Sequence, residues 1–87
     1  MKTRKRIEYG KYIVSDPKIC GGELTFKGTR MFVKDVLHML AKGYDWDRIC
    51  REFDGVINYE AIVETIELAR ATLIEKFDQA EKTRRAA

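Results

Sequence analysis

Apolar and polar residues change places along this chain with two periods, first near two and then near 3.6. From Ile7 to Val14 one parity holds Ile7, Tyr9, Lys11 and Ile13 and the other Glu8, Gly10, Tyr12 and Val14, which predicts one short edge strand with incompletely sorted faces. Ser15-Asp16-Pro17 ends it, because proline has no ladder donor and Asp before it favours a turn. Between Gly21 and Val33 the alternation is cleaner. Leu24 and Phe26 alternate with Thr25 and Lys27, and Met31 and Val33 resume the pattern past Arg30 and Phe32. A tight hairpin follows, with Gly21, Gly22, Gly28 and Thr29 as its turn residues.

The period then lengthens. Val33, Val36, Leu37 and Leu40 form one helical stripe running to about Lys42, with Gly43 suited to the left-handed position after it. Asp45 caps a second helix carrying Trp46, Ile49, Cys50 and Phe53, which Gly55 ends. After the connection Asp54-Gly55-Val56-Ile57, Asn58 caps a third helix with apolar residues Ile62, Val63, Ile66, Ala69, Leu73 and Phe77. Twenty helical residues span roughly 30 Å, more than a small core needs, so the far half packs on a partner or projects into solvent. Residues 81–87 carry no periodic apolar face and are expected to fray.

These elements define a mainly α fold, an N-terminal β-hairpin or three-stranded ribbon followed by three helices. Residues 1–12 form a basic arm and the start of the edge strand, residues 13–80 a single domain, and residues 81–87 a tail. A chain of 87 residues builds one small core, which argues against a deep catalytic cleft and favours a homodimer through the first strand or the last helix. Cys20 and Cys50 lack Cys-x-x-Cys spacing, and no apolar run suits a leader or a membrane span, so a reduced, cytoplasmic location without membrane contact is expected.

Charge sharpens the functional reading. Lys2, Arg4, Lys5, Arg6 and Lys11 stand against Glu8 alone in the first 12 residues, while the remainder holds 12 basic and 13 acidic residues. Such an arm either neutralises phosphates or is a solvated terminus. The second and third helices have the order of a helix-turn-helix, whose second helix often enters the DNA major groove. Here that helix carries Glu60, Glu64, Glu67, Glu75 and Asp78 against Arg70 and Lys76, and phosphates repel such a face. Weak DNA contact therefore falls to Lys2, Arg4, Lys5, Arg6 and Arg30. The Arg30 fork can instead pair with Asp16 or Glu23 and pin the hairpin. Tyr44 and Trp46, flanking Asp45, are read as core or staple residues. His38, Cys20 and Cys50 are too scattered for a zinc site. No nucleophile stands at a base's spacing, so neither cofactor, metal nor catalysis is expected.

Ile13-Val14-Ser15-Asp16-Pro17, then Cys20-Gly21-Gly22, then Lys27-Gly28-Thr29-Arg30, an amphipathic segment and Gly43 resemble the domain-of-unknown-function family 433 over roughly residues 12–72. Leu24 and Phe32 stand where that family usually has prolines, and the loss at position 32 removes a preset φ just before the first helix. The resemblance implies a homeodomain-like helix-turn-helix domain whose N-terminal strand pairs with a second subunit. It also implies an antitoxin-like partner of a PIN-like nuclease toxin. The alternative is a stand-alone helix-turn-helix DNA-binding regulator, for which a basic last helix would be the better fit.

Overall fold

The alternation at the N-terminus resolves into two strands rather than one in the computed structural model, which describes residues 4–86. Strand β1 (Ile7–Glu8) runs antiparallel to β2 (Ile13–Ser15), with Ile7 opposite Ser15 and Glu8 opposite Val14. The chain reverses over residues 10–12, where the Tyr9 N–H donates to the Ile13 carbonyl at 2.9 Å. This reversal explains the unsorted parity: residues on either side of Gly10 belong to different strands. Strand β3 (Leu24–Phe26) pairs with the other side of β2, giving the order β1-β2-β3 with β1 at an edge.

The link from β2 to β3 turns through left-handed backbone at Cys20, Gly21 and Gly22 (φ 51°, 66° and 91°). The Ser15 hydroxyl fastens this turn by donating to the Gly22 carbonyl at 2.5 Å. Past β3 the expected hairpin is mostly absent. Its returning arm reduces to one bridge, Phe32 opposite Thr25, and Val33 is already helical. Phe32 takes φ −81°, close to the value that proline would impose, so the helix begins on time without one. Gly28 has φ +74° as the third residue of a turn closed by the Thr29 N–H on the Phe26 carbonyl at 3.0 Å. The Thr29 hydroxyl braces that turn, donating to the Phe26 carbonyl at 2.7 Å and accepting from the Met31 N–H at 3.0 Å.

Three helices complete the fold, α1 (Val33–Ala41), α2 (Trp46–Glu52) and α3 (Tyr59–Ala86). Both expected caps form. The Asp45 carboxylate accepts from the Arg48 N–H at 2.8 Å, and the Asn58 side-chain Oδ1 from the Ala61 N–H at 2.9 Å. Ile13 and Phe26 of the sheet meet Val33, Val36, Ile49, Ala61 and Ile62 of the helices in one core. Ile57, from the connection before α3, is as deeply buried as they are. The opposite sheet face is covered too: Val14 and Thr25 are buried, whereas Leu24, expected inside, is 41% exposed.

Residues 81–86 are helical rather than frayed. Arg84 and Arg85 each pair with Glu81 one turn back, which supports a helix end that no apolar face holds. The far half of α3 leaves the domain. The radius of gyration is 15.4 Å, whereas a compact chain of this length has about 12 Å.

Two substitutions test the sheet. No atom lies within 4 Å of where a Gly28 side chain would start, so Gly28→Val should cost about 1–2 kcal/mol through backbone strain alone. A thermal melt should show a clear drop, and an unchanged midpoint would mean that the turn relaxes freely. The Thr25 hydroxyl is fully buried with no hydrogen-bond partner among the described residues. Thr25→Val keeps the shape and removes the unpaired group, so urea unfolding should show stability raised by about 1 kcal/mol; a loss of that size would contradict the assignment.

Candidate functional site

Two carboxylates one helical turn apart on α3 grip the reversal between β1 and β2. Glu64 reaches out from a partly buried position and accepts three successive backbone N–H groups, from Lys11 at 2.7 Å, Tyr12 at 2.8 Å and Ile13 at 3.0 Å. Consecutive N–H groups converging in a turn make a natural anion cradle, and here the chain supplies its own anion. Glu60, four residues earlier, accepts from the Tyr12 hydroxyl at 2.7 Å, with the Lys11 ammonium 3.8 Å away. Gly10 makes the approach possible. A Cβ there would lie 2.5 Å from a Glu64 carboxylate oxygen. Glu64 is thus a structural clamp and not the free surface charge that its place in an acidic helix suggested. The available signals were indirect: Glu60 and Glu64 share a face, and Gly10 interrupts the strand pattern.

The basic arm is partly engaged within the molecule. Lys2 lies outside the described residues. The Arg4 guanidinium donates to the Gly21 carbonyl at 3.1 Å and lies against Gly22, where a Cβ would come within 2.9 Å of it. Arg6 pairs with Glu8 and approaches Asp16 at 3.6 Å, while Lys27 reaches Glu8 from β3's side at 3.0 Å. Hydrogen bonds from Arg6 and then Lys27 hold the Glu8 carboxyl below its ordinary range. Lys5 is exposed. Pairs as open as these contribute about 0–1 kcal/mol each, so a phosphate can compete for the arginines. Arg30 is exposed and pairs with neither Asp16 nor Glu23; among the described residues no carboxylate lies within 4 Å of it. Asp16 is taken by Arg6 instead, and the hairpin that Arg30 was to pin has almost no second arm. The turn residues Gly21 and Gly22 gather at the Arg4 contact, while Gly28 and Thr29 close the separate turn after β3.

Cys20 and Cys50 are free thiols, on the left-handed turn and on α2. Burial, with Asp47 nearby, pushes the Cys50 thiol up, so it stays protonated at neutral pH. No three His, Cys, Asp or Glu side chains among the described residues gather within reach of one metal ion. Tyr44 and Trp46 pack half-buried against the core, as staple residues do. The Tyr44 ring lies 3.9 Å from the Arg48 guanidinium, and Trp46 meets Tyr59 edge-on at 5.5 Å. Tyr59 donates to Asp47, which raises its phenol and ties α2 to the start of α3.

The remaining surface of α3 sorts into distinct faces. Ala61, Ile62 and Thr65 are buried. Tyr59, Val63, Ile66, Leu73 and Phe77 form a second apolar stripe in steps of four, three, seven and four residues, with Arg70 in the one vacant place. Leu73 is 69% and Phe77 58% exposed. Glu60, Glu67 and Asp78, near whole numbers of turns apart, line a third face, with Glu75 beside them. Past Thr65, a groove of about 600 Å³ opens between α3, the sheet and α1, with Tyr9, Leu24, Leu37, Leu68 and Leu73 on its walls.

The family model for a protein of unknown function, DUF433, matches residues 13–69. The chain belongs to the DUF433 family. No curated protein and no solved structure matches it. The DUF433 span takes in β2, β3, α1, α2 and the clamping carboxylates of α3. Gly10, β1 and the projecting part of α3 lie outside it. Among the described residues no helix is long and apolar enough to cross a membrane.

The clamp carries its own test. Glu64→Gln puts an amide N–H where a backbone N–H needs an acceptor, and should destabilise the fold by about 1–3 kcal/mol in urea unfolding. Glu67→Gln, one turn on and exposed, should change stability by less than about 0.5 kcal/mol. Equal effects would show that the cradle adds nothing beyond surface charge.

Proposed function

We propose that the protein is a non-enzymatic, antitoxin-like binding module of the cytoplasm, a homodimer that captures a basic, PIN-like nuclease toxin on α3. The observation that carries this reading is the carboxylate face of α3, on which Glu60 also holds Tyr12 and Glu67 pairs with Arg70 while Glu75 and Asp78 stand on the part that leaves the domain. An exposed single-sign stripe steers an oppositely charged partner and repels nucleic acid. Its length matters as well: a projecting helix can be buried in another protein's groove without disturbing the core that holds it.

A second reading, a stand-alone homeodomain-like helix-turn-helix regulator, is favoured by the order of α2 and α3 across residues 53–58. It is favoured too by an extension absent from the sequence reading, since helix through Ala86 adds Lys82, Arg84 and Arg85 to an otherwise acidic element. The first two turns of α3, where a recognition helix meets bases, nonetheless hold Glu60 and Glu64 without a cation. DNA contact on either reading is therefore assigned to the arm and Arg30.

The test is co-expression with a PIN-like nuclease encoded beside this gene, followed by calorimetry. A stable complex is expected, weakened at least tenfold when Glu67 and Glu75 become Gln and Asp78 becomes Asn, with Glu60 kept because it holds Tyr12. Unchanged affinity in that variant would remove the carboxylate face from the reading. Duplex binding should be weak, with a log–log salt slope of roughly −3 per protomer, and should be lost when Lys2, Arg4, Lys5 and Arg6 become Ala. Tight, sequence-specific binding that survives those changes would favour the regulator.

A further inference from the structure

We infer that the second apolar stripe of α3 is the surface on which a second copy of this chain docks, with the two α3 helices antiparallel and crossing near Leu73. The inference rests on the reading of the protein as a homodimer and specifies a surface and a direction for it.

The first argument is area. Tyr59, Val63, Ile66, Leu73, Ile74 and Phe77 are each between 37% and 69% exposed. Together they leave roughly 600 Å² of largely apolar surface in water, at the top of what a monomer ordinarily exposes. A stable interface takes roughly 800 Å² from each partner, so this stripe supplies most of what a dimer needs. The groove opens on the Leu73 side of the stripe and extends the same surface over Leu24 and Leu37.

The second argument is spacing. Steps of four, three, seven and four residues are those of a helix seam that packs on another helix, and the stripe lies beside the core-facing residues Ala61, Ile62 and Thr65 without including them. Residues 70–86 have little domain beneath them, so the stripe there is open to a second helix.

The third argument is charge, and it selects both a second copy and the direction. Between Tyr59 and Glu67 the helix holds Glu60, Glu64 and Glu67 and no cation; from Glu81 to Ala86 it holds Lys82, Arg84 and Arg85 against Glu81 alone, with which both arginines pair. Parallel helices would set like charges side by side. Antiparallel helices centred on Leu73 bring the basic end of each beside the acidic start of the other. The same register sets Arg70, the polar break in the stripe, close to Phe77 of the other chain, within reach of its ring face.

Leu73→Asp with Phe77→Asp, both side chains already exposed, should leave helicity unchanged by circular dichroism. Light scattering at tens of micromolar should show the full chain near twice its mass and the double variant near one. Direction is read by disulfide capture in a Cys20→Ser, Cys50→Ser background. A chain with Val63→Cys should cross-link to a chain with Arg84→Cys and not to itself. A wild-type mass near one chain overturns both the inference and the homodimer reading. A dimer that survives the aspartates overturns only this surface, and its loss on removal of residues 1–8 would put the contact on the β1 edge. Self-capture of the Val63→Cys chain overturns the antiparallel direction.

Discussion

A turn that presents three successive N–H groups on one side needs an acceptor, and in this fold the acceptor is the Glu64 carboxylate of α3. Unpaired backbone donors beside a buried strand would be costly, and no strand of the small sheet is long enough to satisfy them. Among the described residues the longest-range hydrogen bonds therefore join the N-terminal reversal to the last helix. β1 is two residues long and exposed, too little to hold its own place. It keeps its position because the reversal behind it is tied to α3, and Gly10 exists to let the carboxylate in.

That tie divides α3 into regions with different duties. Around Ala61, Ile62, Glu64 and Thr65 the helix belongs to the core and the clamp, and substitutions there act on folding. Beyond Ala69 it has no such duties. As far as Phe77 and Asp78, the apolar stripe and the carboxylates occupy separate sides of the helix. The DUF433 match ends where the second region begins, which puts the family's shared part in the clamped domain.

Much of this could be read from the sequence because it is local. A 3.6-residue period, with Gly43 after α1, Asp45 before and Gly55 after α2, and Asn58 before α3, was enough to place the helices except for the end of α3, and Gly28-Thr29 was enough for the turn that follows β3. The misreadings share a cause. Ile7–Val14 looked like one strand because a reversal without Pro, Asn-Gly or Gly-Gly is marked locally by Gly10 alone; its determinant is a carboxylate 51 to 53 residues away. Thr25 is buried despite its polar place in the alternation because the sheet is covered on both faces there, while Leu24, at the strand's start, is left 41% exposed. Arg30 does not make the alternative pairing with Asp16 or Glu23, because Phe32, in place of a full returning strand, passes straight into α1. The last turns of α3 lack an apolar face and are sustained by ion pairs along the helix, a weaker signal than hydrophobic period.

Native-state hydrogen exchange at the Lys11, Tyr12 and Ile13 amides tests the central place of the clamp most directly. If Glu64 ties the reversal to α3, these amides open only when α3 does, and their opening free energies should match those of Ile62 and Thr65. Exchange of all three at the rate of an open loop, with Ile62 and Thr65 still protected, would contradict it and make the N-terminal strands a separate, loosely held unit.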